Sequence, residues 1–229
     1  GGVLSDMIYC DPPYNIGLDY NKGIGTEKKY GGSYSAKNDS KSDIKYTEFL
    51  DKTIKNAVDY SRPNFHAFYW CDERYIWLLQ TLFQKNGIKN QRVCIWVKNN
   101  ASPTPQVAFN KVYEPCVYGL RGKPWKNSSY KNPNESLNTE IGAGNQVHDE
   151  ILDMITIWLS RRDETQSYEY PTQKPVTLHE KPLRRCSAPG HAVIDLFGGS
   201  GSTLIACEQL KRKCFMMEAD PIFCDVIIN

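Results

Sequence analysis

A chain of 229 residues is long enough to bury one substantial core, since single domains commonly run to about 200–250 residues. Its formal net charge of +2 excludes a globally basic protein, so any nucleic-acid surface must be written in how the charge is distributed. The 8 cysteines form no C-x-x-C pair and the 4 histidines show no ligand spacing, so no metal centre and no disulfide framework is expected, but a reduced cytoplasmic protein.

The first apolar run, Met7-Ile8-Tyr9, reads as a strand, and Asp11-Pro12-Pro13-Tyr14-Asn15 stops it. Proline cannot continue a ladder, and each proline restricts the residue before it, so the chain leaves the strand along a fixed path. The corner presents one carboxylate, backbone carbonyls without ladder partners and one aromatic face. Those groups suit a flat ring that carries an amino group. Cys10 abuts the corner, but as a strand residue it points away from Asp11 and reads as a small buried hydrophobe.

A polar stretch follows to about Lys45, longer than ordinary connections and therefore functional or mobile. Tyr46, Phe49, Leu50, Ile54, Ala57 and Val58 then share one helical face. Phe65 to Trp70 is expected as a strand and Tyr75 to Lys85 as a helix stopped by Asn86-Gly87. Val93 to Val97 and Cys116 to Leu120 read as two strands able to pair as a hairpin. From about Asn99 to Tyr168 the chain mixes Pro, Asn, Gly and Ser around one apolar patch, Ile151 to Leu159. Between Lys98 and Asn134, Lys98, Lys111, Arg121, Lys123, Lys126 and Lys131 face one acid, Glu114, with Trp125 and Tyr130 interleaved. Such a mixture favours a phosphate backbone and unstacked bases, although a solvated lysine-rich loop has the same composition.

The most informative C-terminal segment runs from His191 to Thr203: an apolar strand, then Phe197-Gly198-Gly199-Ser200-Gly201, then a helical run from Leu204 to Leu210. Glycines there permit a tight turn and a close ligand approach ahead of a helix N-terminus. No lysine precedes Ser202 or Thr203, which excludes a phosphate-gripping P-loop, and the dinucleotide pattern lacks its third glycine. A second strand, Cys214 to Met217, ends at Glu218, and an acid there commonly grips ribose hydroxyls. The chemistry indicated is a nucleoside-bearing cofactor. No long apolar span and no leader pattern occur, so neither membrane insertion nor secretion is expected.

Together these residues resemble the amino-methylating DNA methyltransferases that use S-adenosylmethionine. That family's catalytic motif, [D/N/S]-P-P-[Y/F/W], is matched by Asp11, Pro12, Pro13 and Tyr14, and its F-x-G-x-G loop by Phe197 to Gly201. A third element, T-Q-K-P, stands as Thr172-Gln173-Lys174-Pro175. The order, with the catalytic motif first, is that of the permuted beta class. The resemblance implies an α/β fold with a doubly wound, largely parallel, Rossmann-like sheet and a target-recognition insert. It divides the chain into a catalytic half, 1–98, an insert, 99–170, and a cofactor half, 171–229, and makes it one domain of a longer polypeptide.

The resemblance also assigns roles. Asp11 and the Pro12 carbonyl would accept from the target amine, Pro13 would shape the corner, and Tyr14 would stack on a flipped base. Asp11, Thr172, Lys174, Asp195, Phe197, Gly198, Gly199, Gly201, Ser202 and Glu218 would form the cofactor site, with Lys174 at the methionine carboxylate, Asp195 at its amino group and Glu218 at the ribose. Lys123, Lys126 and Lys131 are expected at DNA phosphates. Double-stranded DNA is the implied partner, and a homodimer is compatible. An Asp at the first motif position is mostly associated with adenine; the alternatives are a cytosine-N4 enzyme and a degenerate nucleic-acid-binding module on the same fold. Glu114 is left open between a structural role and the base pocket.

Overall fold

The computed structural model describes residues 2–17, 39–98, 107–128, 155–160 and 173–228. Thr172, Tyr130 and Lys131, together with most of the polar stretch after Asn15, lie outside them. The described elements in chain order are β1 (Ser5–Cys10), α1 (Asp43–Asp59), β2 (Ser61–Trp70), a short 3-10 turn (Glu73–Tyr75), α2 (Ile76–Lys85), β3 (Lys89–Val97), β4 (Tyr113–Arg121), β5 (Ile157–Leu159), α3 (Val176–Cys186), β6 (Ala192–Asp195), α4 (Ser202–Gln209), β7 (Lys213–Met216) and α5 (Pro221–Ile228).

The strands form one sheet in the order β5-β3-β4-β2-β1-β6-β7. β1 pairs in parallel with both β2 and β6, and β6 with β7, while β4 runs antiparallel between β2 and β3. The expected hairpin of β3 and β4 therefore exists, and its second strand lies inside the sheet although it falls within the range assigned to the insert. Pro115 is tolerated there because the ladder between β2 and β4 begins one residue later, at Trp70 opposite Cys116.

Alternation along β1 builds two cores. Ile8 and Cys10 face α1 and α2, where Tyr46, Leu50, Ile54, Leu79 and Phe83 are fully buried. Met7 and Tyr9 face α3 and α4 with Phe68, Trp70, Leu178, Leu183 and Cys207. Each such side chain contributes roughly 1.5–3 kcal/mol by leaving water, so both helical layers are held firmly on the sheet. α1 starts where Ser42 caps the Lys45 amide, and its apolar face is the one expected from the sequence.

This topology positions the site. The chain leaves β1 toward β2 on one side and returns at β6 on the other, so the strand order reverses between β1 and β6. Open α/β sheets place their ligand crevice at the carboxyl ends of strands flanking such a reversal. Asp11 follows β1 directly, and Asp195 closes β6.

Candidate active site

At the end of β1 the Asp11-Pro12-Pro13-Tyr14 corner is clamped from two sides. Tyr46 donates its hydroxyl to the Pro13 carbonyl at 2.8 Å. Asn15 adopts a left-handed backbone, with φ 56°, and its amide group bridges to the backbone of Lys41. A non-glycine residue in that region is uncommon and is sustained here by side-chain hydrogen bonds. The corner is therefore rigid before anything binds.

The Asp11 carboxylate is handled asymmetrically. Lys174 Nζ donates to Oδ2 at 2.5 Å, whereas Oδ1 is buried without a hydrogen-bond partner. Lys174 itself is buried, donates to the Tyr14 hydroxyl at 2.9 Å and lies 3.4 Å from Glu114 Oε2. Its ammonium also sits over the rings of Trp70 and Tyr14. Tyr14 in turn donates to Glu114, whose other oxygen pairs with Lys98 at 3.2 Å. Two carboxylates and two ammonium groups thus alternate in one network, which is what lets charge persist out of water.

The shifts follow from that arrangement. Burial pushes the Asp11 carboxyl above its ordinary value, and the Lys174 charge opposes this only in part. Burial works against the Lys174 charge, but Asp11 and Glu114 outweigh it and hold its pKa above that of a free lysine. Burial likewise disfavours charge on Glu114, yet Lys174 and Lys98 bring its pKa below the usual carboxylate value.

On the other flank, the turn after β6 is built on backbone contacts only small residues permit. A Cβ on Gly198 would stand 2.7 Å from the Met216 side chain, and Gly201, with φ 85°, closes the turn onto the Gly198 carbonyl ahead of α4. Glu218 accepts from Gly199 N at 2.7 Å through Oε2 and from Ala219 N and Asp220 N through Oε1. It ties the turn to the end of β7 and keeps roughly one of a carboxylate's four acceptor positions for a ligand. Asp195 is buried beneath, accepting from Phe197 N at 3.0 Å and from the Thr203 side chain; burial pushes its carboxyl up to about 7.

Both flanks line one cavity of about 660 Å³. Asp11, Pro12, Pro13, Tyr14, Lys174, Asp195, Phe197, Gly198, Gly199, Ser202 and Glu218 all border it, while Gly201 shapes the turn without lining it. Residues 160 positions and more apart in sequence thus meet in one crevice, of a size common for small-molecule sites.

The whole of residues 5–229 matches the family model for the N6/N4 enzymes, described as DNA methylase. The chain belongs to that DNA methylase family. It is 26% identical over 223 residues to the type II methyltransferase M2.DpnII of Streptococcus pneumoniae, covering 94% of this chain and 78% of that one. The crystal structure of the M1.HpyAVI–SAM complex aligns with a TM-score of 0.65 at 20% identity, over 99% of this chain and 88% of that one. The PvuII DNA methyltransferase, described as cytosine-N4-specific, aligns with a TM-score of 0.66 at 14% identity, over 99% and 79%. At these identities the structural likeness shows the shared Rossmann-like fold.

Within this methylase two groups of these residues have surroundings that their sequence neighbours do not announce. Lys174, expected at the cofactor carboxylate, is engaged by Asp11, Tyr14 and Glu114. Lys123 and Lys126 follow the far end of β4. Because β4 pairs antiparallel to β2, Glu114 lies at the cavity end and Arg121 at the opposite end of the sheet. At roughly 3.3 Å per residue those ends are about 20 Å apart. Lys123 N is held there by Asn64 Oδ1 at 2.8 Å. Among the described residues, the lysines that border the cavity are Lys41, Lys98, Lys111 and Lys174. Glu114, Trp70 and His179 also join the site, and the sequence signal for them was slight: a lone acid, an aromatic and a histidine inside otherwise apolar elements.

Proposed function

We propose that this methylase transfers the methyl group of S-adenosylmethionine to the exocyclic N6 amine of adenine in double-stranded DNA, on a base turned out of the duplex. The observation that carries the reading is Asp11 Oδ1, a buried acceptor without a partner, on a carboxylate whose other oxygen is pinned by Lys174. Buried acceptors are nearly always satisfied, so an exception at the end of β1 in a crevice marks where a donor binds.

The residues present also fit the cofactor. The glycine turn admits a ligand close to the backbone, Asp195 offers an acceptor for an ammonium, and Glu218 stands at the strand end that suits ribose hydroxyls. When bound, S-adenosylmethionine supplies an electrophilic methyl group on a sulfonium. An exocyclic amine is a poor nucleophile because its lone pair is delocalised into the ring. Asp11 Oδ1 and the Pro12 carbonyl, accepting its two N–H bonds, would turn that lone pair out of the ring plane. Tyr14, held by Lys174 and Glu114, would offer its face to the base; stacking of this kind is worth roughly 1–3 kcal/mol. Most of the acceleration is then positioning and placement of charge. Asp11, whose carboxyl has a raised pKa, would take the proton that the amine gives up on methylation. The preference for adenine rests on Asp11 opening the motif.

Incorporation of tritium from methyl-labelled S-adenosylmethionine into acid-precipitable duplex DNA tests the reading. Steady incorporation is expected, and its absence would leave only a binding module. The cavity-rim lysine Lys111, paired with Asp72 at 2.9 Å, is the proposed phosphate contact, in preference to Lys123 and Lys126 at the opposite end. Lys111→Ala is expected to reduce the slope of log affinity against log salt by about 0.9. Lys123→Ala with Lys126→Ala should leave that slope unchanged, and the reverse pattern would put DNA on the other end of the sheet.

A further inference from the structure

Beneath the cavity a hydrogen-bond chain joins the catalytic half to the cofactor half. Trp70 Nε1 donates to the Tyr9 hydroxyl at 2.9 Å, the Tyr9 hydroxyl lies 2.8 Å from His179 Nδ1, and His179 Nε2 lies 3.0 Å from Ser202 Oγ. All four side chains are buried. We assign the direction of the chain from its first member. An indole N–H only donates, so the Tyr9 oxygen accepts there and its own hydrogen goes to His179 Nδ1. That nitrogen is then unprotonated, and the neutral imidazole carries its proton on Nε2, which donates to Ser202 Oγ. Burial and the nearby Lys174 charge outweigh a ring hydrogen bond to the Lys174 backbone carbonyl, lower the His179 pKa to about 3 and keep the ring neutral. Ser202 therefore accepts from His179 and keeps its own hydrogen for another partner. It is the first residue of α4 and borders the cavity.

Lys174 is committed to Asp11 and Glu114, which leaves the neutral donors at the start of α4 to meet a ligand carboxylate beside the glycine turn. The helix N-terminus and an oriented hydroxyl are such donors. We infer that His179 is a positioning residue, which through this one-way chain turns the Ser202 hydroxyl hydrogen toward the carboxylate at the amino-acid end of the cofactor. The inference rests on the cofactor reading given above.

Two measurements test it. Nitrogen-15 NMR of the His179 ring in the ligand-free protein should show the Nε2–H tautomer from about pH 5 to pH 9; the Nδ1–H tautomer or an imidazolium would overturn the inference. Calorimetry should then compare S-adenosylmethionine with its decarboxylated form, which lacks only the carboxylate. Wild-type protein should prefer the intact compound. His179→Leu should lose about tenfold in affinity for it, the order expected of one lost hydrogen bond to a charged group, with binding of the decarboxylated form unchanged. His179→Gln, which retains an N–H for Ser202, should restore the preference. Should the leucine variant fail to fold, Ser202→Ala serves in its place, with the same selective loss expected. Equal discrimination in wild type and variants would overturn the inference while leaving the cofactor reading intact. Wild-type protein that binds neither compound would overturn that reading and the inference with it.

Discussion

Asp11→Asn is expected to be as inactive as Asp11→Ala, with turnover down by about 10²–10³-fold in both and S-adenosylmethionine affinity little changed. The reason lies in Lys174. An amide has one acceptor and one donor end, and the ammonium 2.5 Å from Oδ2 claims the acceptor. The amide NH₂ then faces the position of Oδ1 and opposes the incoming amine with a donor. Asparagine is a permitted opening residue in the family's motif, so a motif-level view expects partial activity from this variant. Adding Lys174→Met to Asp11→Asn frees the amide to turn and should recover part of the rate. Single-turnover rates for the two single variants and the pair check this, and near-normal turnover by Asp11→Asn alone would remove the proposed role of Oδ1.

Lys174→Met alone carries the second large effect. Two carboxylates, Asp11 and Glu114, would lose their shared cation, and breaking a buried pair costs about 3–5 kcal/mol. Asp11 already has a raised pKa from burial, and without the ammonium it rises further. A carboxyl whose folded-state pKa exceeds its unfolded value contributes stability at low pH and loses it as pH rises through the folded value. The variant should therefore be more stable at acid than at alkaline pH, with a steeper dependence than the wild type. The acid limb of its rate profile should move to higher pH, since Asp11 must be ionised to accept from the amine. Cofactor affinity should hardly change. A large loss of cofactor affinity with an unmoved acid limb would return Lys174 to the methionine carboxylate. Chemical denaturation across pH and a pH–rate profile supply both readings.

What could be read from the sequence was local chemistry. A strand broken by Asp11-Pro12-Pro13 and a strand running into Gly198-Gly199-Ser200-Gly201 each announce a turn and its ligand-facing groups within a few residues. The alternation along β1 and the apolar face of α1 likewise follow from period alone. Contacts set by topology could not be read this way. Lys174 meets Asp11 across 163 positions of sequence, and the T-Q-K-P element says nothing of which carboxylate its lysine will reach. Lys123 and Lys126 read as part of a basic segment continuous with Lys98 and Lys111. The antiparallel run of β4 then carries them to the other end of the sheet. α3 carries no clear helical signal because Pro182 lies inside it; burial of Leu178, Leu183 and Cys186 sustains it regardless. That helix brings His179 under the cavity, which is why the chain to Ser202 was invisible in the sequence.

The account turns on a single acceptor oxygen meeting an adenine amine, and the identity of the methylated base tests it most directly. Duplex DNA of random sequence would be incubated with the chain and labelled S-adenosylmethionine, digested to nucleosides, and the label assigned by chromatography and mass. The account predicts label in N6-methyladenine for the wild type and its near absence for Asp11→Asn. Label in N4-methylcytosine would contradict the choice of base, and label retained undiminished in Asp11→Asn would contradict the role of Asp11 itself.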